Sequence, residues 1–167
     1  MGFDLYSLGN HKTDKGEYFR NNVWWWRRLA EFVCEYTGVV DDKDKERWQY
    51  NDNHHVTAQE AKEIAKQLRY LIKTGQVAKY EEQVRKEMEE AEVRNKKVQK
   101  LLDKLKAKAI EMTNNKDISP REYPSPLDEK WEKIWHMQDG RDSYPFNKNN
   151  VEEFIKFCED SNGFSIS

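Results

Sequence analysis

The stretch from Gln76 to Met112 constrains the fold most strongly, because it contains neither glycine nor proline. Glutamate, lysine, glutamine, alanine and leucine dominate it, and all five favour an α-helix. A helix of this length spans about 50 Å at 1.5 Å per residue. Alternating steps of four and three residues, the spacing of a coiled-coil seam, connect Val84, Met88, Ala91, Asn95, Val98, Leu102, Leu105, Ala109 and Met112. The sequence therefore predicts one long helix, at about 77–112, through the middle of the chain.

Shorter helices are predicted on both sides of this long helix. One runs from about 22 to 37 and stops at Gly38, and another covers 58–74 after a capping-box pair, Thr57 and Glu60. Because the link at Gly75 is so short, we expect the 58–74 helix and the long helix to form an antiparallel helical hairpin. Three of the four prolines lie between 113 and 126 and end the long helix, and two further helices follow them.

Strand-like patterns occur at the two ends of the chain. Residues 3–6 (Phe-Asp-Leu-Tyr) alternate between apolar and polar, and Phe164-Ser165-Ile166 follows an Asn-Gly turn signal. We expect the termini to pair as a short two-stranded ribbon supported by a helix. The predicted fold class is mainly α, a small helical domain formed by residues 1–167, from which the long helix projects as a hairpin or coiled-coil arm.

Composition places the chain among folded, water-exposed proteins. Charged residues make up 36% and the mean hydropathy is −1.11, but six tryptophans and an aromatic content of 13% favour a packed core. Lys plus Arg (29) nearly balances Asp plus Glu (31), so general DNA binding or attraction to anionic lipid is not expected. With no membrane-length apolar run and no signal-peptide pattern, we expect a cytoplasmic protein. Cys34 and Cys158 are expected to be free, buried thiols.

Self-association is predicted from the length of the long helix. The 58–74 helix is too short to cover the whole seam, so its distal half needs either another part of the chain or a second copy. A polar residue at an interior seam position, Asn95, favours a defined register. We therefore expect a homodimer.

Recognised catalytic motifs are missing from the sequence. It has no Walker loop, no dinucleotide glycine fingerprint and no Gly-x-Ser-x-Gly elbow. Asp52, His54 and His55 have no second ligand cluster at a recognised spacing, so no metal site is predicted. No catalytic residues and no cofactor are assigned.

A candidate ligand site lies where aromatic and basic residues concentrate, around the start of the first helix. Projected at 100° per residue, Trp24 falls on the polar arc together with Arg27 and Arg28, away from the apolar arc that faces the core. An indole can stack on a base, arginine forks match phosphate oxygens, and a helix N-terminus offers N–H groups to an anion. The predicted ligand-binding residues are Tyr18, Phe19, Arg20, Asn22, Trp24, Arg27 and Arg28, with Tyr50, Asn51 and Asp52 as an opposite wall.

A purely structural explanation of the same residues stays open. Trp24 would then be covered by another segment, while Arg27 and Arg28 form ion pairs with Glu31 and Glu35.

Three short segments resemble a family of small, uncharacterised bacteriophage proteins. They are Gly16-x-Tyr18-Phe19-Arg20-x-Asn22-x-Trp24-x-Trp26-Arg27, Tyr50-Asn51-Asp52 and Asn162-Gly163-Phe164-x-Ile166. Together they cover about a third of the chain, whereas the long helix looks like a variable insertion, and the family often has proline at the position of Arg28. The resemblance implies a phage accessory protein that acts in the host cytoplasm.

Three functions follow as hypotheses. The first is a non-enzymatic binder that sequesters a nucleotide-like ligand, such as a host immune signal. The second is an inhibitor or adaptor that binds a host defence protein through the long helix or exposed aromatic residues. The third is an unrecognised hydrolase or nuclease.

Overall fold

A computed structural model describes residues 2–167, and they form six helices and four short strands. The strands are β1 (Gly2–Ser7), β2 (Tyr18–Asn22), β3 (His54–Val56) and β4 (Phe164–Ile166). The helices are α1 (Val23–Tyr36), α2 (Asp42–Lys45), α3 (Ala58–Lys73), α4 (Gln76–Thr113), α5 (Leu127–Trp135) and α6 (Lys148–Asp160). The mainly α class and the long central helix are thus confirmed. No helix among these residues is both long and apolar enough to cross a membrane.

The chain divides into two compact units. The first consists of the residues up to 85 together with 144–167, and the second consists of 86–143. The boundary falls within α4, so the predicted arm carries packing of its own.

The sheet of the first unit corrects the predicted two-stranded ribbon. Its strand order is β2-β1-β4-β3, and all neighbours are antiparallel. The termini do pair, with Leu5 opposite Ile166. However, β2 adds to one side through Phe19 opposite Leu5, and β3 adds to the other through His54 opposite Ile166. The prediction was wrong because it treated 18–22 and 54–56 as loops, whereas two more strands satisfy the free edges of the ribbon.

The core of the first unit lies between the inner face of this sheet and helices α1, α3 and α6. Trp26 of α1 is fully buried, and its ring lies 5.4 Å from the ring of Phe3 and 5.8 Å from that of Trp48, between centroids. The ring of Phe154 on α6 packs nearly perpendicular to both indoles. Aromatic burial of this kind supplies the apolar area that the sparse aliphatic residues do not.

Helix α3 packs against α6, which corrects the predicted hairpin. The capping box of Thr57 and Glu60 opens α3 as expected, and Gly75 adopts a positive φ of 80° at its end. The extensive contacts of α3 within the first unit are made with α6, however, and include a bidentate ion pair from Arg69 to Glu159. A short link fixes where two helices join, but the apolar stripe of α3 decides what it packs on.

The second unit has a small core formed by the distal part of α4, the proline-containing segment and α5. Its buried members are Ala109, Ile118, Tyr123 and Leu127, with Leu105, Ile110 and Trp131 packed against them. Several seam positions are therefore already covered in a single chain, and Val98 and Leu102 are buried as well. The homodimer stays a prediction, but an uncovered seam no longer supports it.

Asn95 forms hydrogen bonds with the loop that contains Asp139 and Asp142, instead of packing against another long helix. Its side-chain amide donates to the backbone oxygen of Asp139 at 2.8 Å and to Oδ2 of Asp142 at 2.7 Å. Its side-chain oxygen accepts from the Asp139 N–H at 2.8 Å. The polar seam position thus serves packing inside the second unit.

Candidate ligand-binding site

The start of α1 fixes the direction in which Trp24 projects. Asn22 is the N-cap, and its Oδ1 accepts hydrogen bonds from the N–H groups of Trp24 and Trp25, both at 3.1 Å. These two N–H groups, which we expected to be free to bind an anion, therefore have their acceptor within the chain itself. Asn22 acts here as a helix cap, and the anion-binding capacity of the site has to come from side chains.

Trp24 is exposed at the surface of the first unit, with 46% of its area accessible. Its ring contacts the ring of Tyr144, with 5.2 Å between centroids and a tilt of 58°. Arg27, one helical turn further along α1, places its guanidinium carbon 5.7 Å from the centroid of the same tyrosine ring. Its Nη1 also donates to the Tyr144 hydroxyl at 3.3 Å. We call Trp24, Arg27 and Tyr144 the Trp24 cluster.

Tyr144 owes its position to the residues that follow it. Phe146 is buried, with its ring 5.1 Å from Phe32 and 4.7 Å from Tyr80. This anchor holds the chain against α1 just before α6 begins. The buried Phe146 therefore restricts the movement of Tyr144. This reduces the conformational entropy that is lost when a ligand binds.

A shallow cavity of about 310 Å³ adjoins the cluster, and Arg27, Arg28, Glu31, Gln49 and Tyr144 line it. The Arg28 guanidinium forms an ion pair with Glu31 across 3.3 Å. Arg27 has no ion pair among the described residues, so its positive charge is the least compensated one in the cavity.

Glu31 is held from two sides. Besides the ion pair with Arg28, it accepts a hydrogen bond from the hydroxyl of Tyr80 at 3.3 Å. Burial, together with the negative charge of Glu31, raises the pKa of Tyr80 to about 12. The tyrosine thus stays protonated and keeps donating to the carboxylate.

Gln49 reaches the cavity because its neighbour is anchored in the core. Trp48 is almost fully buried, and its backbone oxygen accepts a hydrogen bond from the indole of Trp26 at 2.7 Å. The amide of Gln49 can both donate and accept, which suits a base edge or a sugar hydroxyl.

Comparison of the chain with models of protein families, with curated proteins and with solved structures gives no match.

Other predicted site residues lie on the sheet rather than at the Trp24 cluster. Strand alternation turns Phe19 into the core, against Phe154 and Phe157. Arg20 projects from the other face and pairs with Asp4 across 3.5 Å. Tyr18, on that face too, donates its hydroxyl to Asp4, and this hydrogen bond raises the pKa of the tyrosine. Strand geometry therefore places Phe19 in the core and Tyr18 and Arg20 beside Asp4, and none of the three lines the cavity at Arg27.

The loop at 50–52, which was predicted as the opposite wall of the site, does not line the cavity, whereas the residue before it, Gln49, does. Asn51 donates to the backbone oxygen of Gly2 at 3.1 Å, and Asp52 binds the Arg47 guanidinium at 2.9 Å, which lowers the pKa of the aspartate. Tyr50 is exposed, at 58%. Among the described residues, the loop contributes Gln49 to the cavity lining instead of these three.

Tyr144 and Gln49 were not predicted from the sequence, whereas Glu31 was expected as an ion-pair partner of the α1 arginines and does pair with Arg28. The sequence signal for Tyr144 was weak, since it consists only of an aromatic residue before Pro145 and an apolar anchor. Tyr144 is more than a hundred residues from Trp24 in the sequence, so their contact could not be predicted from local patterns.

A larger cavity of about 430 Å³ lies elsewhere on the first unit. Its lining consists of Lys15, Tyr18, Phe19, Asn149, Glu152, Glu153 and Lys156. We assign it no ligand, because Phe19 is a core residue, the Tyr18 hydroxyl is occupied by Asp4, and the lining holds two lysines and two glutamates and so has no net charge.

The structure offers little for metal or thiol chemistry within the described residues. Among residues 2–167, no group of three or more His, Cys, Asp or Glu side chains is placed to hold a metal ion. Cys34 and Cys158 are free and buried, as predicted, and burial raises the pKa of Cys34 to about 12. Such thiols are poor nucleophiles.

Proposed function

We propose that this chain is a non-enzymatic binding protein for an anionic, base-containing ligand, which it holds at the Trp24 cluster. The observation that carries the proposal is that a large indole is exposed beside an arginine without an ion pair.

Stacking is the first contact in this proposal. The rings of Trp24 and Tyr144 touch each other, so a base does not fit between them and stacks on the outer face of the indole. One such contact contributes about 1–3 kcal/mol.

Charge supplies the second contact. The Arg27 guanidinium is oriented by Tyr144 and has N–H groups left for phosphate oxygens. A hydrogen bond to a charged group contributes about 1.5–3 kcal/mol. Together the two contacts correspond to dissociation constants from tens of micromolar to tens of millimolar, so a titration should extend to millimolar ligand.

The biological setting follows the resemblance to phage proteins. As part of this proposal, the protein acts in a host cytoplasm and sequesters a nucleotide-like host molecule, which would make it a counter-defence factor. Sequestration needs a binding surface and no catalytic groups, in keeping with the exposed, uncharged indole as the principal contact.

A second candidate function is binding of a host protein through α5. The indoles of Trp131 and Trp135 stack with 4.9 Å between centroids, and Trp135 and Met137 are 44% and 45% exposed. Exposed aromatic and methionine side chains are frequent anchors in protein interfaces. An inhibitor of this kind would lose its effect on the host protein with Trp135→Ala and keep it with Trp24→Ala.

Saturation-transfer difference NMR tests the first proposal against a panel of mono-, di- and cyclic nucleotides. We expect the base protons to receive the strongest saturation with the intact protein and to lose it with Trp24→Ala. Equal transfer in both proteins would show that the ligand binds elsewhere.

A further inference from the structure

We infer that the Trp24 site selects nucleotides that carry a single negative charge, such as phosphodiesters, over nucleoside di- and triphosphates, and that Glu31 sets this preference. The inference rests on the proposed function and narrows its ligand class. Its basis is the charge of the residues that line the cavity.

Three charged side chains line the cavity. Arg27 and Arg28 are positive and Glu31 is negative, so the lining carries one net positive charge. The charge of Arg28 is compensated by Glu31 across 3.3 Å. Arg27 contacts the neutral Tyr144, through both its ring and its hydroxyl, and forms no ion pair among the described residues. The cavity can therefore neutralise one negative charge of a ligand, but not a second or third.

Geometry places that one charge close to the stacking surface. The Trp24 ring centroid is 5.2 Å and the Arg27 guanidinium carbon 5.7 Å from the same Tyr144 ring centroid. The two groups are thus separated by no more than the sum of these distances, about 11 Å. A base and a phosphate attached to one sugar lie within this reach. A chain of phosphates extends beyond Arg27. Its additional negative charges then share the cavity with the carboxylate of Glu31.

The carboxylate of Glu31 repels such additional charge, and two hydrogen bonds hold it in place. Tyr80 donates to it from a buried position, and Arg28 donates from the cavity side. Like charges brought together in a partly desolvated site are a common means of rejecting the wrong ligand. Glu31 is therefore a specificity-determining residue rather than only a partner of Arg28.

The test measures affinities of three probes by isothermal titration calorimetry: cyclic AMP, AMP and ATP. With the intact protein, we expect the phosphodiester to bind most tightly and the triphosphate most weakly. Glu31→Gln keeps acceptor oxygen for Tyr80 and Arg28 but removes the charge. It should raise the affinity for ATP relative to cyclic AMP by about two- to fivefold, the range of one charge interaction at an exposed site.

Glu35→Gln is the matched control. Glu35 lies one turn further along α1, pairs with Lys45 at 3.2 Å and stands outside the cavity lining, and its substitution changes the net charge of the protein equally. The ratio of affinities should not change with this variant. Equal shifts in both variants, or tightest binding of ATP by the intact protein, would overturn the inference while leaving the binding function in place.

Failure of the proposed function looks different. In that case none of the three probes binds the intact protein. If Glu31→Gln does not fold, as judged by circular dichroism, the rank order of the three probes with the intact protein still decides, because a charge-matched site predicts falling affinity with rising phosphate charge.

Discussion

The indole N–H of Trp26 donates to the backbone oxygen of Trp48 at 2.7 Å, inside the core of the first unit. This hydrogen bond joins α1 to the turn at 46–49, and the two indoles stack with an interplanar angle of 8°. It therefore fixes Gln49 relative to the helix that carries Trp24. The same hydrogen bond thus contributes to the core and to the position of a residue that lines the candidate site.

Trp26→Ala should destabilise the protein severely. Truncating a fully buried tryptophan costs about 3–5 kcal/mol, and the substitution also leaves the Trp48 oxygen without its donor. Urea unfolding followed by circular dichroism measures the change. Trp24→Ala is the matched comparison on the same helix and should change the free energy of unfolding by less than about 1 kcal/mol, since the indole is exposed. Similar losses in the two variants would contradict the assignment of core and surface.

His54 makes stability depend on pH. It is nine-tenths buried, its Nδ1 has no hydrogen-bond partner among the described residues, and burial lowers its pKa below the ordinary 6.5. Arg47 lowers the pKa further, whereas Asp44, Asp52 and Glu60 oppose the shift.

The direction of the pH effect follows from that lowered pKa. Below pH 6.5 the unfolded chain binds a proton at His54 more readily than the folded one. Stability should therefore fall as the pH drops from 6.5 towards the lowered value, by up to about 1.4 kcal/mol per pH unit.

Urea unfolding at several pH values between about 7.5 and 5 tests this expectation. His54→Gln should flatten the pH dependence in this window, whereas His55→Gln, at the exposed neighbouring position on β3, should keep the slope of the intact protein. A slope that persists in His54→Gln would assign the effect to other groups.

Asn95→Ala should loosen the loop at 136–143. The substitution removes three hydrogen bonds to Asp139 and Asp142 and leaves backbone groups of Asp139 without partners, which costs about 2–4 kcal/mol locally. Amide hydrogen exchange of that loop reports the change. Lys96→Ala, which removes only an exposed ion pair with Glu92, should leave exchange unaltered. An Asn95 variant with unchanged exchange would return this residue to the coiled-coil role predicted from the sequence.

Local signals in the sequence predicted the helices well. The long helix was expected at 77–112 and occurs at Gln76–Thr113, and the Thr57–Glu60 capping box forms as predicted. Such features depend on neighbours within one or two helical turns, so a single sequence contains the information.

Pairings between distant segments were not predictable in the same way. Strands β2 and β3 are five and three residues long, and each is stable only because β1 or β4 lies beside it. The same reason separates the predicted site residues: alternation in β2 turns Arg20 to Asp4, while Tyr144 arrives at Trp24 from a segment that had no functional signal.

The central claim is that exposed Trp24 binds a base, and calorimetric titration of Trp24→Ala with the tightest-binding nucleotide tests it most directly. We expect this variant to lose about tenfold or more in affinity, as for one stacking contact, while its unfolding free energy stays near that of the intact protein. Trp135→Ala, which removes a comparably exposed indole in the second unit, should bind as the intact protein does. Unchanged affinity in Trp24→Ala, or an equal loss in both variants, would contradict the account.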